Sequence, residues 1–240
     1  MRRQVTYMIR QPLISAAQVF IAVASGLISL AVFFKIRERD PRPVSAEINM
    51  IGSIFFLAAN VFVSIVYSSI MSFQLERACL LRELASKCYG LPAYFTSKNL
   101  FEFPVMLIFP MITLLITYWG PPYGEWKADE YVFIKFYLVL FLVSQCAIGY
   151  GYMVSAACKN QVDSSHLSNV VNLPCLFFGG IFANSSTMVK GVGWIQYLSP
   201  IKLGFEALTK AEYENSIWDP LLERYDLNLS YGWCIFGLII

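Results

Sequence analysis

The sequence predicts an all-α, polytopic integral membrane protein, and three observations carry that prediction. Only 14% of the residues are charged while 57% are hydrophobic, against about 25% charged in an ordinary soluble domain. The charges are excluded from four long runs, residues 13–34, 48–73, 136–158 and 167–189, and a helix needs roughly 20 apolar residues to cross a hydrocarbon core. The connections between the runs carry the prolines and charges that end helices, as at Pro41, Pro43, Gly90 and Pro92. The same composition excludes disorder. The 18 basic residues form no long cluster, so no nucleic-acid partner is expected. The six cysteines include no C-x-x-C pair and read as buried or juxtamembrane thiols, with no metal site.

Taken in order, residues 1–12 place Val5, Met8 and Ile9 on one helical face and Arg2, Arg3 and Arg10 mostly away from it. That pattern fits a short amphipathic helix in the headgroup layer; a frayed basic tail is the alternative. The first span is expected over residues 13–34 and the second over 48–73. Residues 74–98 form the longest polar stretch between spans. It reads as a helix through about Cys88, with Leu75, Cys79, Leu80 and Leu84 as its apolar stripe and Glu83 and Lys87 as an i,i+4 pair. The third span, 99–119, holds Glu102, Pro104 and Pro110 and is expected to be kinked. Glu102 is expected to pair with Lys98 near the inner face, with a water-filled cavity as the alternative. The fourth and fifth spans follow over 133–157 and 166–182. Residues 183–230 are too polar to span. Two short re-entrant helices, 187–198 and 201–214, are expected there, broken at Pro200 and lying at the interface or dipping into the outer leaflet. A sixth apolar run reaches only from 229 to 240, so the sixth helix is expected to be incomplete and the chain a fragment.

The positive-inside rule does not orient the chain: an N-inside model places 8 basic residues inside and 10 outside. Two N-x-S sequons, at Asn184 and Asn228, fall in one loop, and all five tryptophans lie at or beyond that same face. These favour a cytosolic N-terminus, with Asn184 and Asn228 as candidate glycosylation sites.

Within residues 76–110 the sequence reads ERACLLRELASKCYGLPAYFTSKNLFEFPVMLIFP. Glu76, Arg77, Arg82, Glu83, Tyr89, Tyr94, Phe95 and Lys98 resemble the E-R…R-E…Y…Y-F-x-x-K pattern of the ABCG (white/pleiotropic drug resistance) subfamily of ABC transporters. Residues 52–56, GSIFF, are similar to the opening of that family's second helix. Residues 179–208, GGIFANSSTMVKGVGWIQYLSPIKLGFEAL, are similar to its region around the fifth helix, with Leu203 in place of the usual Tyr. The resemblance runs over nearly the whole chain and implies one domain, residues 1–240: a type-2 exporter membrane domain that dimerises as a homo- or heterodimer. It also implies a nucleotide-binding domain, in cis or in trans, holding ATP and Mg. The chain has no G-x-x-x-x-G-K-[ST] loop, so no cofactor and no enzymatic activity are expected in this segment.

The candidate sites follow from that frame. Glu76, Arg77, Arg82 and Glu83 are the candidates for coupling to the ATPase domain, a solvated helix face being the alternative. By resemblance the substrate cavity lies between the second and fifth helices, with Asn60, Phe62, Val63, Asn172, Cys175 and Leu176 as lining candidates. Apolar walls with a few amides suit lipid, sterol or amphipathic xenobiotic substrates; for Asn60 an interhelical hydrogen bond is the alternative. Ile181 and Phe182 are the candidate outer gate, with ordinary core packing as the alternative. The functional expectation is an ATP-driven exporter. The competing expectation is a non-transporting scaffold or a decayed transporter paralogue.

Overall fold

The computed structural model describes residues 12–34, 43–87, 89–118, 131–181, 199–213 and 231–239. Among the described residues the chain forms seven helices and no strand: α1 (Pro12–Phe33), α2 (Pro43–Ala85), α3 (Leu91–Tyr118), α4 (Val132–Ala157), α5 (Gln161–Phe177), α6 (Pro200–Tyr213) and α7 (Tyr231–Ile239). The expected interfacial helix up to residue 11, the short helix 187–198, Phe182 and the sequons at Asn184 and Asn228 lie outside the described residues. Among the described residues, two segments are long and apolar enough to cross a membrane, Ser45–Ala85 and Val132–Ala157; Val19–Phe33 and Leu107–Tyr118 are shorter apolar helices.

The second span and the polar helix expected after it are one uninterrupted helix, α2, of 43 residues. No glycine or proline falls between Gly52 and Gly90, so nothing in that stretch breaks the backbone ladder. α3 likewise begins at Leu91, well before the expected start at 99, and continues through Pro104 and Pro110 to Tyr118. A neighbouring helix supplies polar support there. Tyr137 Oη of α4 donates to the Leu107 carbonyl at 3.1 Å, next to the carbonyl of Met106 that Pro110 leaves without its usual N–H.

α2 and α4 form the central pair, and α1 packs chiefly on α3. The α2–α4 crossing depends on Gly151, where an added Cβ would lie 2.6 Å from Ser69 Cβ and 3.0 Å from the Val66 carbonyl oxygen. Such small residues let two backbones approach within a bundle. Val61, Phe62, Ile65 and Val66 of α2 meet Leu140, Val143, Ala147 and Ile148 of α4 in one buried cluster.

Of the two placements expected for α6, the structure disfavours the interfacial one. A helix lying at the interface would keep a wet face, yet every residue from Pro200 to Tyr213 is buried except Lys210, which is half-buried. It is wedged against α2, α4 and α7. Gly204 allows this: a Cβ there would sit 2.5 Å from Val143 Cγ2. The start of α6 is set by Ser199 and Pro200. The Ser199 hydroxyl accepts from the Lys202 N–H at 3.4 Å as an N-cap, and proline occupies the first helical position, where no N–H is needed. The same hydroxyl donates to the Cys175 carbonyl at 2.8 Å, satisfying one of the open acceptors at the end of α5.

Candidate functional site: a two-helix face and two buried polar clusters

The α2–α3 end of the bundle is held by a charged cluster. Lys98 of α3 is only 2% exposed and lies 3.1 Å from both Glu76 of α2 and Glu102 of α3. Ser72 donates to Glu102 at 2.7 Å and accepts from Lys98 at 3.1 Å. Tyr94 donates to Glu76 at 2.9 Å, and Tyr152 of α4 donates to Glu102 while its ring lies 5.8 Å from the Lys98 ammonium. One cation thus faces two carboxylates, and hydroxyls serve the remaining acceptor positions, as a buried ion pair requires. Burial, then the charge of Glu76 and its hydrogen bond, push the Tyr94 phenol well above its ordinary value. It therefore remains a donor at any physiological pH. Glu102 is paired with Lys98, as the sequence suggests.

The four coupling candidates divide here. Glu76 is engaged inside this cluster, and Arg77 donates to the Cys158 carbonyl at the end of α4. Both tie helices of this chain to one another. Glu83 is half-buried and accepts from Tyr89 and, at 3.5 Å, from the Cys79 thiol. Arg82 is exposed one residue before it.

On α2 the exposed or half-exposed positions Phe56, Asn60, Val63, Tyr67 and Met71 recur at helical spacing. Beside them on α5 lie the exposed Asn169, Val170, Leu173 and Phe177. Tyr67 donates to the Asn169 side-chain oxygen, joining the two helices across this face. Asn60 and Val63 belong to the face, and Leu176 is half-buried at its edge. Phe62 does not: it is 0% exposed and its ring meets Tyr150 of α4 edge-on at 5.7 Å. Asn172 and Cys175 are also turned inward, with Ser164 and Ser168, on the buried stripe of α5; the Asn172 amide donates to Ser168 at 3.2 Å. Of the six lining candidates three thus lie on or beside the exposed α2–α5 face and three are buried about one residue away, a rotation of about 100°. Tyr67, Asn169, Leu173 and Phe177 share that face and are not singled out by the sequence.

At the far end of α5 the helix closes on Gly179 and Gly180. Gly180 has φ +105°, a conformation that favours glycine. A Cβ on Gly179 would lie 2.6 Å from the Phe55 ring, and one on Gly180 would lie 3.1 Å from the Phe205 ring. Those two rings meet each other edge-on at 5.6 Å. Ile181 is half-buried against the core directly after them. Gly179 and Gly180, directly before Ile181, therefore sit on an aromatic pair from α2 and α6 that the sequence gives no reason to single out.

A second polar cluster surrounds α6. Tyr213 donates to Glu47 of α2 at 2.6 Å, both groups being buried, and Lys210 lies 3.7 Å from Glu206. Lys202 and Glu212 are buried on the same helix. Along α2, Glu47 and Glu76 are separated by about 44 Å at 1.5 Å per residue, close to the full thickness of a bilayer with its headgroups. Both termini of the long apolar stretch of α2 are therefore anchored by a buried carboxylate.

Residues 1–213 match the family model described as ABC-2 type transporter. This chain belongs to the ABC-2 type transporter family. It is similar to protein white of Ceratitis capitata, with 30% identity over 160 residues, 67% of this chain and 23% of that protein. It is similar to the Bos taurus broad substrate specificity ATP-binding cassette transporter ABCG2, with 28% identity over 235 residues, 97% of this chain and 35% of that protein. A third relative is the Caenorhabditis elegans ABC transporter ATP-binding protein/permease wht-1, 27% identical over 209 residues, 86% of this chain and 30% of that protein. These are white- and ABCG-type proteins, and the chain is an ABCG-type membrane domain. It spans about a quarter to a third of the length of these relatives.

Proposed function

We propose that this chain is the membrane half of an ATP-driven exporter in which the α2–α5 face meets a second such face and lines the path of an amphipathic substrate. The observation that carries the reading is the composition of that face. Phe56, Val63, Leu173 and Phe177 supply apolar wall, and Asn60, Tyr67 and Asn169 supply a few polar positions, the pattern of a site that orients apolar ligands loosely. The name of the bovine relative, with its broad substrate specificity, agrees with such a wall. ATP and Mg belong to a nucleotide-binding domain joined to this one in cis or in trans, and the exposed Arg82 with the neighbouring Glu83 form the contact to it. In this reading the α2–α3 turn is cytosolic, the N-terminus is cytosolic, and Ile181 with Phe182 closes the outer end. Asn184 and Asn228 then face the glycosylating side.

The test uses the full-length transporter in inverted vesicles, with a rhodamine dye and a fluorescent sterol as probes. The wild type is expected to accumulate at least one of them with ATP and not without it. Leu173→Trp, filling the face without touching the charged clusters, is expected to reduce accumulation about tenfold or more while ATP hydrolysis persists. ATP-independent behaviour of the wild type with both probes would instead favour the non-transporting scaffold.

A further inference from the structure

The polar extension of α2 does more than follow the span; it grips the connection between α4 and α5. Gln74 Nε2 lies 2.8 Å from the Ser155 carbonyl of α4 and 2.8 Å from the Ser164 hydroxyl of α5. One turn further along the same face, Arg77 donates to the Cys158 carbonyl. We propose that Gln74 and Arg77 are positioning residues that fasten the α4–α5 connection to α2, so that a displacement of the α2 extension reaches α5 at its first turn.

Four features support this. The connection is short: α4 ends at Ala157 and α5 begins at Gln161. Cys158 (φ −103°, ψ 152°) and Asn160 (φ −119°, ψ 156°) are both extended, so the link has little slack. The last turn of α4 contains no basic residue, and the cation that meets its open carbonyl end comes from α2. Ser164 is fully buried and donates back to the Asn160 carbonyl at 2.9 Å, so the group that Gln74 holds is itself fixed to the first turn of α5. Tyr67 and Asn169 repeat the α2–α5 bridge further along both helices. A push on the extension is thus shared by α2 and α5, the two helices that carry the exposed face, without being relayed through the length of α2.

The inference rests on the transport reading above, and the experiment separates the two. Full-length transporter in proteoliposomes is assayed for rhodamine transport and ATP hydrolysis together, with melting temperature measured on the same preparations. Arg77→Met and Gln74→Leu are expected to retain hydrolysis and melting behaviour while transport per ATP falls about tenfold, a coupling loss within the range such networks carry. Arg77→Lys, which keeps a cationic donor, is expected to restore much of the ratio. A purely structural cap would lower the melting temperature and both activities in proportion, and that outcome overturns the proposal. An unchanged transport-to-hydrolysis ratio in Gln74→Leu, the uncharged and milder change, also overturns it, even where Arg77→Met fails to fold. In both cases an active wild type leaves the transport reading standing. A wild type idle with ATP removes both.

Discussion

The two buried polar clusters lie at opposite ends of α2 and solve the same problem in different ways. At the α2–α3 end, Lys98 is held between Glu76 and Glu102, with Ser72, Tyr94 and Tyr152 completing the shell. One cation and two carboxylates are held locally by groups from three helices, α2, α3 and α4. At the α6 end, a helix bearing Lys202, Glu206, Lys210 and Glu212 is buried but for the half-buried Lys210, and the Tyr213–Glu47 hydrogen bond ties it to α2. The first cluster fixes helices that would pack together in any case. The second fixes a helix that is too polar to enter the bundle without it. The difference separates an ionic knot from a polar wedge, and each fails in its own way.

The largest effect is expected at the knot. Lys98→Met leaves the buried Glu76 and the half-buried Glu102 without Lys98, and removal of one member of a buried pair costs about 3–5 kcal/mol. The measurement is the fraction of folded, monodisperse protein in detergent together with its melting temperature. A melting temperature equal to wild type would mean that the carboxylates are hydrated and not buried. Adding Glu102→Gln to Lys98→Met is expected to recover part of the loss, which a double-mutant cycle quantifies.

A smaller effect is expected at the wedge. Tyr213→Phe removes one hydrogen bond to a charged acceptor, worth about 1.5–3 kcal/mol. Its readout is faster proteolysis near α6 with little change at the α2–α3 end. Equal loosening at both ends would show that the clusters behave as one unit and dissolve the distinction drawn here.

The smallest and most local pair concerns glycine. Gly204→Ala presses a methyl group against Val143 and is expected to cost about 1–3 kcal/mol by overpacking the seat of α6. Gly52→Ala meets nothing within 4 Å and is expected to be neutral or to stabilise α2 by up to about 1 kcal/mol. Reversal of that order, read from melting temperatures, would place α6 away from α4.

Much of this was legible in the sequence, and the failures have a common physical origin. Helices α1, α2, α4 and α5 follow from the four long uncharged runs and α3 from a span expected to be kinked, and the Lys98–Glu102 pair is legible as well. Faces are harder. A membrane helix that is apolar all round has no polar stripe to show which side meets its neighbour, so the sequence does not separate the buried Phe62 and Asn172 from the more exposed Tyr67 and Leu173. For α6 the charges leave an interfacial helix and a re-entrant one equally open, and only the groove accepted by Gly204, with the distant partner Glu47, reveals that the helix is buried. Such partners lie far away in sequence, as Glu47 does from Tyr213, and no local pattern announces them. The grip of Gln74 and Arg77 on the α4–α5 connection escaped notice for the same reason.

The unbroken length of α2 has a mechanical consequence. Its 43 residues make a rod about 65 Å long at 1.5 Å per residue, more than twice the depth of a hydrocarbon core. Pivoted near its middle, where Gly151 brings α4 against it, such a rod acts as a lever: a tilt of about 5° carries each tip through about 3 Å in opposite directions. A shift of that size is enough to make or break a hydrogen bond. Motion applied near Arg82 would arrive at Glu47 with its direction reversed.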